Sequence, residues 1–172
     1  MTLLLAVLLV LSPDAQPVKH RVTGLFNPGR EADLRDSVKK LADVSIVSID
    51  FDAAEITFSY DAQKLLGKGT EKQLLERFDN LLRNASHSTF GVRALCSTPK
   101  EQLTRVQIPV LGLDCQGCCL SAYESIFRIE GVEQATASFK DGLMTALIDP
   151  AKTNRAALED ALKKRGVTLK TP

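Results

Sequence analysis

The sequence predicts an α+β protein made of two tandem βαββαβ units, each a four-stranded antiparallel sheet with two helices on one face. Three observations predict it. Sliding the chain against itself by 88 positions matches Gly24–Asp61 onto Gly112–Asp149 without a gap, with eight identities in 38 positions. They are Gly24/Gly112, Leu25/Leu113, Gly29/Gly117, Ser37/Ser125, Val44/Val132, Phe51/Phe139, Thr57/Thr145 and Asp61/Asp149. In both halves the apolar period also switches between two and 3.6 in the same order. Finally, 172 residues with 44% hydrophobic and 25% charged side chains suit one ordinary domain or two small ones, not a disordered chain.

The second unit is the clearer. Arg105–Leu111 alternates as a strand, and a glycine-rich loop with three cysteines follows. Ala122, Ile126 and Ile129 then mark one face of a helix that Gly131 should end. Val132–Phe139 and Leu143–Ile148 read as a hairpin around Lys140-Asp141-Gly142. Asp149-Pro150 breaks the strand, and Thr153 or Asn154 caps a helix that turns Ala157, Leu158, Ala161 and Leu162 inward. Gly166 closes that helix before a last strand at Val167–Leu169.

The first unit follows the same order. Val18–Gly24 is a strand, Glu31–Leu41 a helix, and Val44–Phe51 with Glu55–Tyr60 a hairpin. Thr70 to Leu82 is the second helix, with Leu74, Leu75, Phe78 and Leu81 or Leu82 inward, and Thr89–Leu95 the last strand. A few extra residues around Lys64–Gly69 are the main difference. Such split βαβ units form the ferredoxin-like sheet, and at about 70 residues each can fold alone. The expected division is 18–96 for the first unit, 97–102 for a polar linker containing Pro99, and 103–172 for the second.

Residues 1–17 stand apart. Leu3–Leu11 is an unbroken apolar run of nine residues, against the roughly 20 that cross a bilayer core. A run that short before Pro13 and Pro17 reads as an export signal, so the expectation is a periplasmic or extracellular protein with no stable membrane span. No Lys or Arg precedes the run, and Pro13 sits where a small residue is preferred, so a buried first strand is the alternative.

Charge and composition exclude several functions. Net charge is +1, and both halves are balanced: residues 18–96 carry 12 basic and 11 acidic side chains, residues 97–172 carry 10 and 9. No basic face is offered to nucleic acid, and 5% aromatics without Trp make base stacking a poor prospect. The glycine spacing matches neither phosphate nor dinucleotide loops, and Ser121 and Ser125 have no His near them in sequence. An enzyme is not expected.

The cysteine loop carries the chemistry. Gly112-Leu113-Asp114-Cys115-Gln116-Gly117-Cys118-Cys119 joins the first strand of the second unit to its first helix. Cys115 in the loop and Cys118 in the first helical turn bring two sulfurs within a few Å of each other. The helix-start amides and dipole there favour thiolates, below the usual thiol pKa of about 8.5. Two thiolates suit a soft ion that accepts few ligands, Cu(I) above all, whereas structural Zn(II) wants four. Cys119 and Asp114 are weaker extras; Cys119 is the third candidate, although a step of about 100° around the helix turns it toward the core. His20 and His87 are distant in sequence, and Cys96 reads as a buried, inert thiol.

This Gly-Leu-Asp-Cys-Gln-Gly-Cys loop, in a unit that ends Leu158-Glu-Asp-Ala-Leu-Lys-Lys-Arg-Gly166, resembles the heavy-metal-associated domain family over about residues 104–170. The resemblance implies binding of Cu(I), Hg(II) or a related ion by Cys115 and Cys118, and transfer to another metal-carrying protein. The family's loop methionine is Leu113 here. Lys164 or Arg165 stands where the family often places a Tyr or Lys near the metal; the plainer reading is a solvated helix end. In the first unit Asn27 and Arg30 replace the two cysteines, so that unit is expected to be a degenerate copy, a scaffold or docking surface that holds no soft metal. Two other functions use the same residues: thiol–disulfide exchange by Cys115 and Cys118, and protein interaction without metal.

Overall fold

Burial of one apolar face per element dictates the architecture. A computed structural model describes residues 15–170; the candidate export segment therefore lies outside the described residues. In the first half β1 (Gln16–Thr23), α1 (Arg30–Val38), β2 (Ser45–Asp50), β3 (Glu55–Tyr60), α2 (Ala62–Leu66), α3 (Glu71–Ala85) and β4 (Gly91–Arg93) follow one another. Their strands form an antiparallel sheet in the order β2-β3-β1-β4. In the second half β5 (Thr104–Leu111), α4 (Gln116–Phe127), β6 (Val132–Ser138), β7 (Leu143–Ile148), α5 (Arg155–Lys164) and β8 (Thr168–Leu169) give the equivalent order β6-β7-β5-β8.

Local chemistry sets the boundaries. Thr70 and Gln73 form a reciprocal capping box that starts α3. The extra residues in the first unit become the short helix α2, capped by Asp61 accepting from the Gln63 and Lys64 amides. Asn154, not Thr153, caps α5 through the Ala157 amide at 3.1 Å. Gly166 closes α5 in the left-handed conformation, as its position suggests. Gly131 does not end α4: the helix stops at Phe127, and Gly131 lies in the turn that follows it. The last strands are shorter than the alternation implied, at three and two residues.

Each half packs its own core. Leu34, Ile56, Phe58, Phe78 and Leu82 are fully buried in the first, and Ile108, Ile126, Met144, Leu158 and Leu162 in the second. Phe26 breaks this division, because it comes from the β1–α1 loop of the first half and is buried in the second core.

The seam between the halves is built around that residue. β6 is a sheet edge, and an edge leaves amides that need partners. The Ala137 amide donates to the Phe26 carbonyl at 2.8 Å, and Gln134 Nε2 donates to the carbonyls of Leu25 and Phe51 at 3.2 and 3.1 Å. The Gly24 amide donates to the Tyr123 hydroxyl at 2.9 Å. Arg21 and Glu133 form an ion pair whose side chains are about a tenth exposed. The linker is not loose: Lys100–Gln102 makes a 3-10 turn, Lys100 pairs with Asp50 and Glu55, and the Thr98 hydroxyl donates to Asp149 at 2.8 Å. Among the described residues no helix is long and apolar enough to cross a membrane.

Candidate metal centre

The loop after β5 holds the cysteines because Leu113 anchors it. That side chain is 4% exposed and belongs to the second core, so Asp114 and Cys115 are left at the surface. Cys115 is the N-cap of α4, and its Sγ accepts from the Cys118 amide at 3.0 Å. A sulfur in the position usually taken by a Ser or Asp oxygen receives the same backbone donor and the positive end of the helix. Both effects favour a thiolate there once the thiol is free.

Cys115 and Cys118 come together, with Cα atoms 5.1 Å apart and the sulfurs joined as a disulfide. Cys115 is exposed and Cys118 half-buried. Cys119 turns the other way: it is 3% exposed in the core, 4.0 Å from the Leu113 carbonyl oxygen, and burial pushes its thiol pKa up. Asp114 is exposed beside Cys115. Among the described residues no group of three or more His, Cys, Asp or Glu side chains converges as a metal site.

Two clefts flank Cys115. One, of about 580 Å³, is lined by Cys115, Cys118, Ser121 and Arg165. Arg165 Nε donates to the Ser121 hydroxyl at 3.0 Å, which holds this cation at the cysteine loop, whereas Lys164 is exposed and does not line the cleft. The other, of about 650 Å³, lies at the seam and is lined by Cys115, Cys119, Asn27 and the rings of Phe26, Phe51 and Phe139. Asn27 thus lines the same cavity as Cys115, the residue with which it aligns 88 positions on. Arg30 lines a neighbouring cleft with Gln116 and Gly117, its guanidinium 5.3 and 5.2 Å from the centres of the Phe26 and Phe90 rings.

Both histidines are accounted for. His20 is half-buried, with Nε2 2.8 Å from the Tyr60 hydroxyl; burial lowers its pKa to about 4 and raises that of Tyr60 to about 12. His87 is far from the cysteines in sequence, yet it lines a cleft with Gln116 and Gly117. Cys96 is half-buried beside Arg21 and Glu133. Sequence reasoning missed the three phenylalanines around Cys115. Phe51 and Phe139 carried a signal, as identical residues at one place in the repeat, but Phe26 carried none.

No family model matches the chain. A zinc-transporting ATPase from Synechocystis sp. is 29% identical over 75 residues, which is 44% of this chain. The chain spans about a tenth of the length of that relative. Among solved structures, the CopZ metallochaperone is 21% identical, covering 39% of this chain and 100% of its own at a TM-score of 0.38. Oxidized MerP from Ralstonia metallidurans CH34 is 25% identical, covering 40% and 94% at 0.38. The N-terminal domain of ZntA in the apo form is 29% identical, covering 40% and 90% at 0.37.

Proposed function

We propose that this protein binds a soft heavy-metal ion through the thiolates of Cys115 and Cys118 and passes it to another metal-carrying protein. Cu(I) is the foremost ion, with Hg(II) and Zn(II) as alternatives. The observation that supports the reading is the placement of Cys115 as N-cap of α4, with the Cys118 amide on its sulfur and the second sulfur in bonding reach. Two thiolates satisfy a linear soft ion, and a third firm ligand for tetrahedral Zn(II) does not converge on them among the described residues. Cys119, buried beneath the loop, stays outside the ligand pair in this reading.

Transfer is ligand exchange: an incoming thiolate of the partner bonds to the ion as Cys115 or Cys118 leaves, with no change of oxidation state. Arg165 offsets the negative charge of a bis-thiolate complex. The first unit is a degenerate copy of the second, kept as a scaffold, and residues 1–17 direct export. No bond-making catalysis is assigned.

A Cu(I) titration of the reduced protein against a competing chelator tests this, beside a Cys115→Ser/Cys118→Ser variant. The expected result is one tightly held ion, lost in the variant and weakened as acid protonates the thiolates. Equal binding by both proteins would overturn the reading. The disulfide between Cys115 and Cys118 favours a second one, thiol–disulfide exchange. Under it, the pair would oxidise and reduce substrate thiols catalytically while Cu(I) bound no better than to the variant.

A further inference from the structure

The cavity at the seam is unlike the surroundings of a bare-ion site. It holds about 650 Å³, within the range of small-molecule pockets and far more than an ion fills. Phe26 and Phe51 of the first half and Phe139 of the second supply its rings, and Cys115 forms part of its wall. Phe139 is 64% exposed, a large apolar ring left open to solvent at this cavity. The carboxylates of Asp114 and Asp141 line the same cavity beside Lys140, so the charged groups there favour a cation by one unit.

A sulfur nucleophile, aromatic walls and a net negative lining select for one combination of properties. From this juxtaposition we propose that the cavity receives a soft metal cation that carries an apolar, ring-sized organic group, such as an aryl-mercury(II) cation. The metal bonds to Cys115 and the ring lies among Phe26, Phe51 and Phe139. The step is an exchange: with the disulfide opened by a thiol or phosphine reductant, the Cys115 thiolate forms the S–Hg bond and the group X⁻ leaves R–Hg–X. The carbon–metal bond stays intact, and no electron is transferred. The first unit has a role in this site that the loss of its own cysteines does not suggest, because two of the three rings belong to it.

This inference rests on the reading of Cys115 and Cys118 as soft-metal ligands, and its test separates the two. The reduced full chain, freed of reductant, is equilibrated with phenylmercury(II) or methylmercury(II) against N-acetylcysteine, and Hg(II) binding is measured in parallel. Burial of a ring in place of a methyl group gives a phenyl-over-methyl preference at least about fivefold above that of the free thiol. Phe139→Ala, and separately Phe51→Leu, lower that preference at least about threefold, while Leu95→Ala, remote from the cavity, keeps it. Because Phe139 is largely exposed, its variant keeps the fold. A preference below fivefold, or one that both phenylalanine variants leave in place, overturns the organometal site even where Hg(II) binds tightly. Failure of Hg(II) and Cu(I) themselves to bind overturns the underlying metal reading instead.

Discussion

Residue identity does most at the places where a side chain meets an unusual neighbour. Cys115 receives a helix-start amide, Cys119 one position past Cys118 is enclosed by the core, and Leu113 holds both in place from below. His20 is the comparable case in the first half. Its ring lies 5.1 Å from that of Phe78 and is hydrogen-bonded to Tyr60, and its pKa falls to about 4 because charging it there is costly. The unfolded chain takes up this proton near pH 6.5, before the folded one does. His20 therefore contributes no penalty above about pH 6.5, and stability is lost as pH falls from there toward 4. Urea midpoints at pH 7 and 4.5 should differ less in His20→Leu than in the parent protein. An undiminished difference would remove His20 from the acid response.

Elements are positioned by backbone constraints that the repeat conceals. Gly24 and Gly112 are equivalent in sequence, and both have positive φ, at 93° and 81°. Their surroundings differ. A Cβ on Gly24 would lie 2.3 Å from the Thr89 carbonyl oxygen, whereas one on Gly112 meets nothing within 4 Å. Gly112→Ala should cost only the left-handed backbone strain, about 1–2 kcal/mol. Gly24→Ala adds a backbone collision and displaces the amide that Tyr123 accepts from, so a loss of about 3 kcal/mol or more is expected. Chemical denaturation of the two variants checks the ranking; equal losses would contradict it. The elements themselves were largely legible. Asp141-Gly142 and Gly166 are local signals read within four residues, whereas the Thr70–Gln73 capping box was seen only in the structure. Gly131 misled because a left-handed glycine closes a turn as readily as a helix, and the C-terminal residue of α4 has no such local mark.

The whole molecule is governed by the seam. β6 is an edge strand, yet Val132, Glu133, Gln134 and Ala135 are all buried, because the β1–α1 loop of the first half covers its free side. The Arg21–Glu133 pair lies in this junction and leaves a buried charge when one partner is removed. Arg21→Ala should lower stability by about 3–5 kcal/mol, and Arg21→Met with Glu133→Leu by much less. Urea unfolding of the parent protein should show one transition, since each half completes the other's burial. Two transitions in the parent, or equal losses in the single and double variants, would mean that the seam does not couple the halves.

Sequence alone determined whatever depends on neighbours in the chain. Alternation and helical spacing decided the order of strands and helices, because side-chain direction follows backbone period. The spacing of Cys115 and Cys118 across a helix start decided that two sulfurs would meet. The self-match at 88 residues set Asn27 and Arg30 opposite Cys115 and Cys118. Tertiary structure decided what lies around that pair. Nothing local says that Phe26 enters the other half's core, that His87 and Gln116 line one cleft, or that Arg165 donates to Ser121. Those pairings join residues 29 to 111 positions apart in the chain, and the one at the seam forms because an uncovered sheet edge needs partners and an apolar ring gains by leaving water.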